Sequence, residues 1–112
     1  MATARTASEQ IAEKVTSWPG VVAHPGNFGS LAFSVGRREL GHLHGDGVAH
    51  FAFPKQVRAD LLAQGRVVPH PVDSPGLAAR RIGDAADVED VIELMRLNYD
   101  RLAARHGLPV RT

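Results

Sequence analysis

The chain has 112 residues, 44% hydrophobic and 22% charged, and its 13 lysines and arginines against 12 aspartates and glutamates leave a formal net charge of +1. This length accommodates one hydrophobic core, so we predict a single domain over residues 1–112, with a folded part of about 7–106. The absence of cysteine excludes disulfides, thiolate zinc sites, iron–sulfur clusters and a cysteine nucleophile, so any metal must be held by histidine and carboxylate.

Apolar runs in the sequence are only a few residues long, and the first 16 residues have no hydrophobic segment behind a basic one. The sequence therefore predicts no membrane span, no signal peptide and a cytoplasmic location. The near-neutral charge also makes nucleic acid an unfavoured partner, because duplex binding depends on neutralising many phosphates.

The chain begins with a predicted helix over about Ala7–Trp18. Thr6 and Glu9 have the spacing of a capping box, and apolar residues recur at helical spacing from Ile11 onward. From Val21 the hydrophobic period changes to two, which predicts an antiparallel meander. Its four strands are placed at about Val21–His24, Ser30–Val35, Glu39–His44 and Val48–Phe53.

A short helix, two further strands and a long helix are predicted to follow the meander. Their positions are Pro54–Gly65 for the short helix, Val67–Val68 and Gly76–Ile82 for the strands, and the segment after the capping residue Asp84 for the long helix. Pro69 and Pro71 confine the first of these strands to a sheet edge. Asp87 to Glu93 is interpreted as a solvated helix face. The resulting fold class is α+β, an antiparallel sheet with helices packed on one face.

The strand register decides which side chains share a face. A three-residue loop from Gly45 to Gly47, with Gly47 left-handed, pairs His44 with Val48 and His42 with His50. A three-residue turn at Gly36 extends the same register to the second strand. The odd-numbered face, covered by helices, then holds Leu31, Phe33, Val35, Leu43, Phe51 and Phe53. The uncovered even-numbered face holds Ser30, Ala32, Ser34, Arg38, Leu40, His42, His44, Val48, His50 and Ala52. Glu39 falls on the core-facing side.

Three imidazoles on an open sheet face are the main chemical anomaly of the sequence. Neutral imidazoles bind divalent metals, and histidine transfers protons near neutral pH. The predicted metal ligands are His42, His44 and His50; the predicted catalytic residues are His42, His44 and Glu39; the predicted ligand-binding residues are Arg58, His50 and His70. The alternative interpretation is that these are half-exposed strand residues making cross-strand hydrogen bonds.

Residues 37–81 carry more arginine and lysine than carboxylate, which favours a small anionic ligand beside the histidines. The alternative is that these are scattered solubilising residues. Neither the cofactor nor the oligomeric state follows from the sequence.

Several stretches together resemble the luciferase-domain family of small bacterial and fungal proteins. They are Arg38–Asp46 with its Glu-x-Gly-His-x-His pattern, Phe53–Pro54, Val57–Arg58, Gly65–Arg66, Pro69–His70 and Leu94–Tyr99. The resemblance covers roughly residues 20–105. It implies that Glu39, Gly41, His42, His44, Arg58, Gly65 and His70 are the functionally important positions.

A weaker resemblance, in the order of elements and in the Leu-Asn-Tyr segment near the C-terminus, is to YjbR-like double-wing proteins. It implies an open sheet backed by helices and a nucleic-acid or protein interaction role. A nucleic-acid interface normally shows a basic surplus or exposed aromatics for stacking. We therefore rank a ligand-binding, metal-binding or catalytic site on the histidine face ahead of an interaction module.

Overall fold

The computed structural model describes residues 5–72 and 74–107. Its α-helices are α1 (Ala7–Val15), α2 (Lys55–Ala63) and α3 (Ala85–His106), and a short 3-10 helix covers Asn27–Gly29. Its strands are β1 (Val21–Pro25), β2 (Leu31–Val35), β3 (Arg38–His44), β4 (Val48–Ala52), β5 (Val68–Pro69) and β6 (Leu77–Arg81). All strand pairs are antiparallel, in the order β1-β2-β3-β4-β6-β5. The predicted α+β class and the position of the proline-bounded strand at an edge are confirmed.

The helices cover one face of this sheet, as the alternation of the strands predicts. Phe33 and Phe51 are 0% and 2% exposed and belong to one core cluster with apolar side chains from all three helices. Leu43 and Phe53 belong to the same cluster. Burial of these large side chains removes apolar surface from water and fixes which face of the sheet is left open. Within the described residues, no helix has the length and apolar character needed to cross a bilayer.

The first helix is shorter than the sequence predicts. The capping box forms, since Thr6 Oγ1 accepts from the Glu9 amide and Glu9 accepts from the Thr6 amide. The helix ends at Val15, however, and hydrogen-bonded turns carry the chain on to Trp18. Trp18 still reaches the core and lies against the Tyr99 ring, with 5.5 Å between centroids. Apolar spacing predicted the burial of Trp18 correctly because a turn can continue the same face beyond the last helical residue.

The predicted pairing of β3 with β4 is confirmed residue by residue. His42 lies opposite His50, and His44 lies opposite Val48, across a three-residue loop. The left-handed glycine of this loop is Gly45, with φ of 63°, and the prediction of Gly47 was wrong. The loop length alone sets the register, so the placement of the histidines is unaffected.

The start of β3 differs from the prediction because the strand contains a bulge. The turn between β2 and β3 has two residues rather than three, and the pairing then shifts by one, from Ser34 opposite Glu39 to Phe33 opposite Gly41. Leu40 is the extra residue. It is fully buried in the core, so the prediction that Leu40 lies on the open face was wrong. A short turn and one bulge residue together restore the alternation expected from a longer turn.

The bulge also moves Glu39 to the open face, correcting its predicted core-facing position. Buried Asn98 of α3 stabilises this geometry, because its Nδ2 donates to the carbonyl of Leu40 at 3.0 Å and to that of Ala52 at 3.1 Å. Gly41 allows α3 to approach: a Cβ there would lie 2.9 Å from Phe51 and 3.0 Å from Met95.

The acidic start of α3 was predicted to be a solvated face, but part of it forms ion pairs with the sheet. Arg80 of β6 points to the helix-covered side of the sheet, and its guanidinium donates to Asp87 at 2.5 Å and to Asp90 at 2.7 Å. Leu77 and Ala79 alternate with it and lie on the other face, as the strand pattern predicts. These ion pairs fasten the end of the sheet to the first turns of the helix.

Candidate functional site

Three histidines from two neighbouring strands form a cluster on the open face of the sheet. His42 and His44 are two residues apart on β3, and His50 is the cross-strand partner of His42 on β4. One ring nitrogen from each lies within 4.8 Å of the other two. The ring centroids are 4.7 to 5.2 Å apart, and all three side chains are partly buried. We call this group the histidine triad.

Glu39 fixes the orientation of one member of the triad. Its Oε2 lies 2.9 Å from the Nδ1 of His42, so that nitrogen carries the ring proton and donates a hydrogen bond to the carboxylate. The Nε2 of neutral His42 is then left as a lone-pair donor. A carboxylate behind a histidine in this way is a common outer partner of metal-binding imidazoles.

His70 extends the triad from the edge of the sheet. The backbone amide of Val72 donates to the Nδ1 of His70 at 2.9 Å, so in neutral His70 the proton sits on Nε2. That nitrogen lies 3.1 Å from the Nδ1 of His50, to which it donates. A chain of two hydrogen bonds thus runs from the backbone of residue 72 into the triad.

Burial and neighbouring imidazoles keep this part of the site uncharged. Burial lowers the pKa of His50 to about 4, helped by the proximity of His70, His44 and His42. The pKa of His70 is also lowered, first by burial and then by His42 and His44. Both groups are therefore neutral at physiological pH, the protonation state that a metal ion requires of imidazole.

A cavity of about 390 Å³ opens above the triad. It is lined by Gly26, Asn27, Phe28, Ser30, Glu39, His42, His44, His50, His70 and Pro71. Phe28 is 97% exposed and has a left-handed backbone, with φ of 57°. A bulky side chain in this conformation is strained, and such strain clusters at functional sites.

The cavity includes residues that sequence reasoning missed. Sequence reasoning placed only a turn at Pro25–Asn27 and gave Phe28 no role, although an aromatic residue between Asn27 and Gly29 has no apolar pattern to place it in the core. Arg58 was predicted as a ligand-binding residue, but the described cavity lining does not include it. Its Nε donates to the carbonyl of Leu77 at 2.6 Å, which ties α2 to β6.

Together, the fold and the site define a class of small α+β proteins whose antiparallel sheet is covered by helices on one face and carries a histidine cluster on the other. The luciferase domain family matches residues 37–98, more than half of the chain, and the protein belongs to this family. The match includes Glu39, the triad and His70, which are the residues gathered at the cavity. No curated protein and no solved structure gives a significant match.

Proposed function

We propose that the histidine triad binds a divalent transition metal through one nitrogen each of His42, His44 and His50. The observation that carries the proposal is the convergence of three ring nitrogens within 4.8 Å of one another. Ligand nitrogens around tetrahedral zinc lie roughly 3.3 Å apart, given zinc–nitrogen bonds of about 2.0–2.1 Å. Metal binding would therefore draw the three nitrogens closer together than they lie in the metal-free protein.

The ligand chemistry selects the class of metal. Imidazole nitrogens suit zinc, copper, nickel and iron, whereas magnesium and calcium prefer oxygen ligands. Glu39 supports this assignment because it holds the Nδ1–H of His42 and leaves Nε2 for the metal. Three protein ligands leave a coordination position open toward the cavity, which is the arrangement of catalytic rather than structural zinc sites.

A metal so placed would act on a small molecule in the cavity. The bound metal supplies a Lewis acid, and the chain's own residues bind and orient the ligand beside it. In this proposal His42 and His44 act as ligands, Glu39 orients His42, and His70 contributes from the edge of the cavity. We also propose that the protein is cytoplasmic, as the sequence predicts.

One observation favours a second candidate, proton transfer without a metal. Because His70 donates to the Nδ1 of His50, neutral His50 carries its own proton on Nε2 in the metal-free protein. That N–H is a donor to an anionic ligand, consistent with the small anionic ligand predicted from the sequence. His42 and His44 would then share the binding of the anion, or accept and return a proton.

Titration of the protein with zinc, nickel and manganese, followed through the imidazole resonances, separates the two candidates. The metal proposal predicts stoichiometric uptake of zinc or nickel, with the three triad rings shifting together and manganese binding more weakly. The double variant His42→Ala, His44→Ala should abolish uptake while the fold survives. His24→Ala is the matched control, since His24 lies on β1, where its Nε2 lies 2.9 Å from Ser34 Oγ.

The opposite results decide against metal binding. Independent titration of the three rings with no metal uptake would refute the metal proposal, and coupled shifts on addition of phosphate or acetate would then support the second candidate. Rings that respond to neither metal nor anion would refute both.

A further inference from the structure

A second groove adjoins the triad on the same open face. Pairing across the sheet places His44 beside Val48, and Val48 beside Arg81 of β6. In the next row His50 lies beside Ala79. Neighbouring strands are about 4.8 Å apart, so Arg81 is roughly 10 Å across the sheet from His44. The side chains between them are apolar.

This groove has a volume of about 430 Å³ and adjoins the cavity beneath Phe28. Val48 and Ala79 lie on its sheet face, and Val68 and Pro69 line it from the edge strand. Val68 is 47% exposed, an apolar side chain left open to solvent on this face. His44 and His50 line both the groove and the first cavity, so the two are continuous with the triad.

Arg81 is the one charged side chain among the described residues that line the groove. The adjacent Arg80 points to the other face, where Asp87 and Asp90 neutralise it. By contrast, no carboxylate within residues 5–72 and 74–107 pairs with Arg81. A fork-shaped guanidinium beside an apolar surface complements a carboxylate attached to an apolar body.

We infer that this groove binds a small amphipathic carboxylate, with the carboxylate on Arg81, the apolar body over Val48, Ala79 and Val68, and the far end at the triad. Placement of the far end rests on the proposed metal function. A single guanidinium matches a singly charged carboxylate better than a phosphate dianion, which normally collects several cationic donors. A carboxylate ligand agrees with the small anionic ligand predicted from the excess of arginine and lysine in residues 37–81.

Binding of butyrate, hexanoate and octanoate to metal-free protein tests the groove, followed through the backbone amides. Octanoate should shift the amides of Val48, Ala79 and Val68, and affinity should rise roughly fourfold for each methylene that the groove buries. Octylamine, of the same length and opposite charge, should bind at least tenfold more weakly, and so should inorganic phosphate.

Arg81→Met keeps an apolar stem and removes the charge, and it should weaken octanoate binding by about tenfold or more. Arg37→Met, at the exposed turn before β3, is the matched control and should leave binding unchanged. Equal octanoate affinity in Arg81→Met and wild type would overturn the inference, as would equal binding of octylamine or phosphate.

Suberate, the eight-carbon dicarboxylate, tests the far end. In zinc-loaded protein it should bind at least tenfold more tightly than octanoate, because its second carboxylate reaches the metal, and the gain should vanish in His42→Ala. His42 does not line the groove, so this variant should lose zinc and keep octanoate. Absence of zinc binding in wild type with retained octanoate binding would refute the metal proposal alone. Retained zinc binding with octanoate binding that does not depend on Arg81 would refute the groove alone.

Discussion

The Nε2 of His70 lies 3.1 Å from the Nδ1 of His50, and the Nδ1 of His70 is already occupied by the amide of Val72. This relationship fixes the tautomers of both rings, because each neutral imidazole has one proton. A change in the protonation or ligation of His50 should therefore alter the hydrogen bond of the Val72 amide, in the segment after β5. A metal on Nε2 of His50 would move the proton of His50 to Nδ1, whereas a metal on Nδ1 would displace His70.

The first prediction follows from this chain of hydrogen bonds. Zinc binding should weaken or break the bond from the Val72 amide to His70, since either mode of ligation by His50 disturbs the present donor arrangement. The Val72 amide resonance should shift and its hydrogen exchange should accelerate several-fold on addition of zinc. His70→Ala should lose this response. An unchanged Val72 amide in zinc-loaded wild-type protein would show that His50 is not a ligand.

The second prediction concerns the pH dependence of stability in protein freed of metal by a chelator. The pKa of His50 is lowered to about 4 in the folded state by burial, against about 6.5 in the unfolded chain. Below pH 6.5 the unfolded state binds a proton that the folded state does not. The contribution of His50 to the free energy of unfolding is therefore intact above pH 6.5 and is lost as the pH falls to about 4.

Urea unfolding between pH 7 and pH 4 measures this dependence. His50→Gln should flatten it, while His24→Ala should retain it. Direct observation of the His50 ring should find it neutral at pH 5; a midpoint near 6.5 for that ring would contradict the prediction.

The third prediction assigns Asn98 a positioning role toward Glu39. Asn98→Leu leaves the Leu40 and Ala52 carbonyls without their buried donor, at a cost of about 1–3 kcal/mol for each unsatisfied group. The bulge that presents Glu39 should loosen, and zinc affinity should fall about tenfold or more, as it does when an outer partner of a metal ligand is lost.

Val91→Ala is the control for that experiment, because it destabilises the core on the same helix about two turns before Asn98 and leaves the Asn98 hydrogen bonds in place. It should lower stability and leave zinc affinity unchanged. Equal zinc affinity in Asn98→Leu and wild type, measured where both are folded, would show that Asn98 does not position Glu39 for metal binding.

The fourth prediction tests the register through the core. Phe51→Ala should reduce the free energy of unfolding by about 3–5 kcal/mol, because the ring is 2% exposed and stacks on Phe53 at 5.3 Å. Phe28→Ala, at an exposed ring of the same type, should change it by less than about 0.5 kcal/mol. Urea denaturation measures both. A cost for Phe51→Ala no larger than that for Phe28→Ala would contradict the core assignment.

The fifth prediction is that the protein does not bind arbitrary duplex DNA tightly. A net charge of +1 neutralises few phosphates, so the sequence-independent part of the affinity should be small. Fluorescence anisotropy with a labelled duplex at roughly 150 mM salt, about physiological ionic strength, should show no submicromolar binding. Submicromolar binding would favour the double-wing interaction role over a site on the histidine face.

The sequence by itself determined the fold class and the pairing of the triad. Alternation along β3 and β4 and the length of the loop between them suffice to place His42 beside His50, because side chains on a strand alternate with a period of two. The apolar stripe of α3 likewise predicts its buried face. These are local patterns, and each reports on its own element.

Only the tertiary structure decided what surrounds the triad. The bulge at Leu40 depends on a donor 58 residues away, Asn98, and it reverses the face on which Glu39 lies. His70 and Arg81 reach the same face through pairing with β4 and β6, which no local period encodes. Long-range hydrogen bonds and close packing set these positions. The placement of Glu39, His70 and Arg81 around the triad therefore follows from the folded chain and not from the spacing of residues in the sequence.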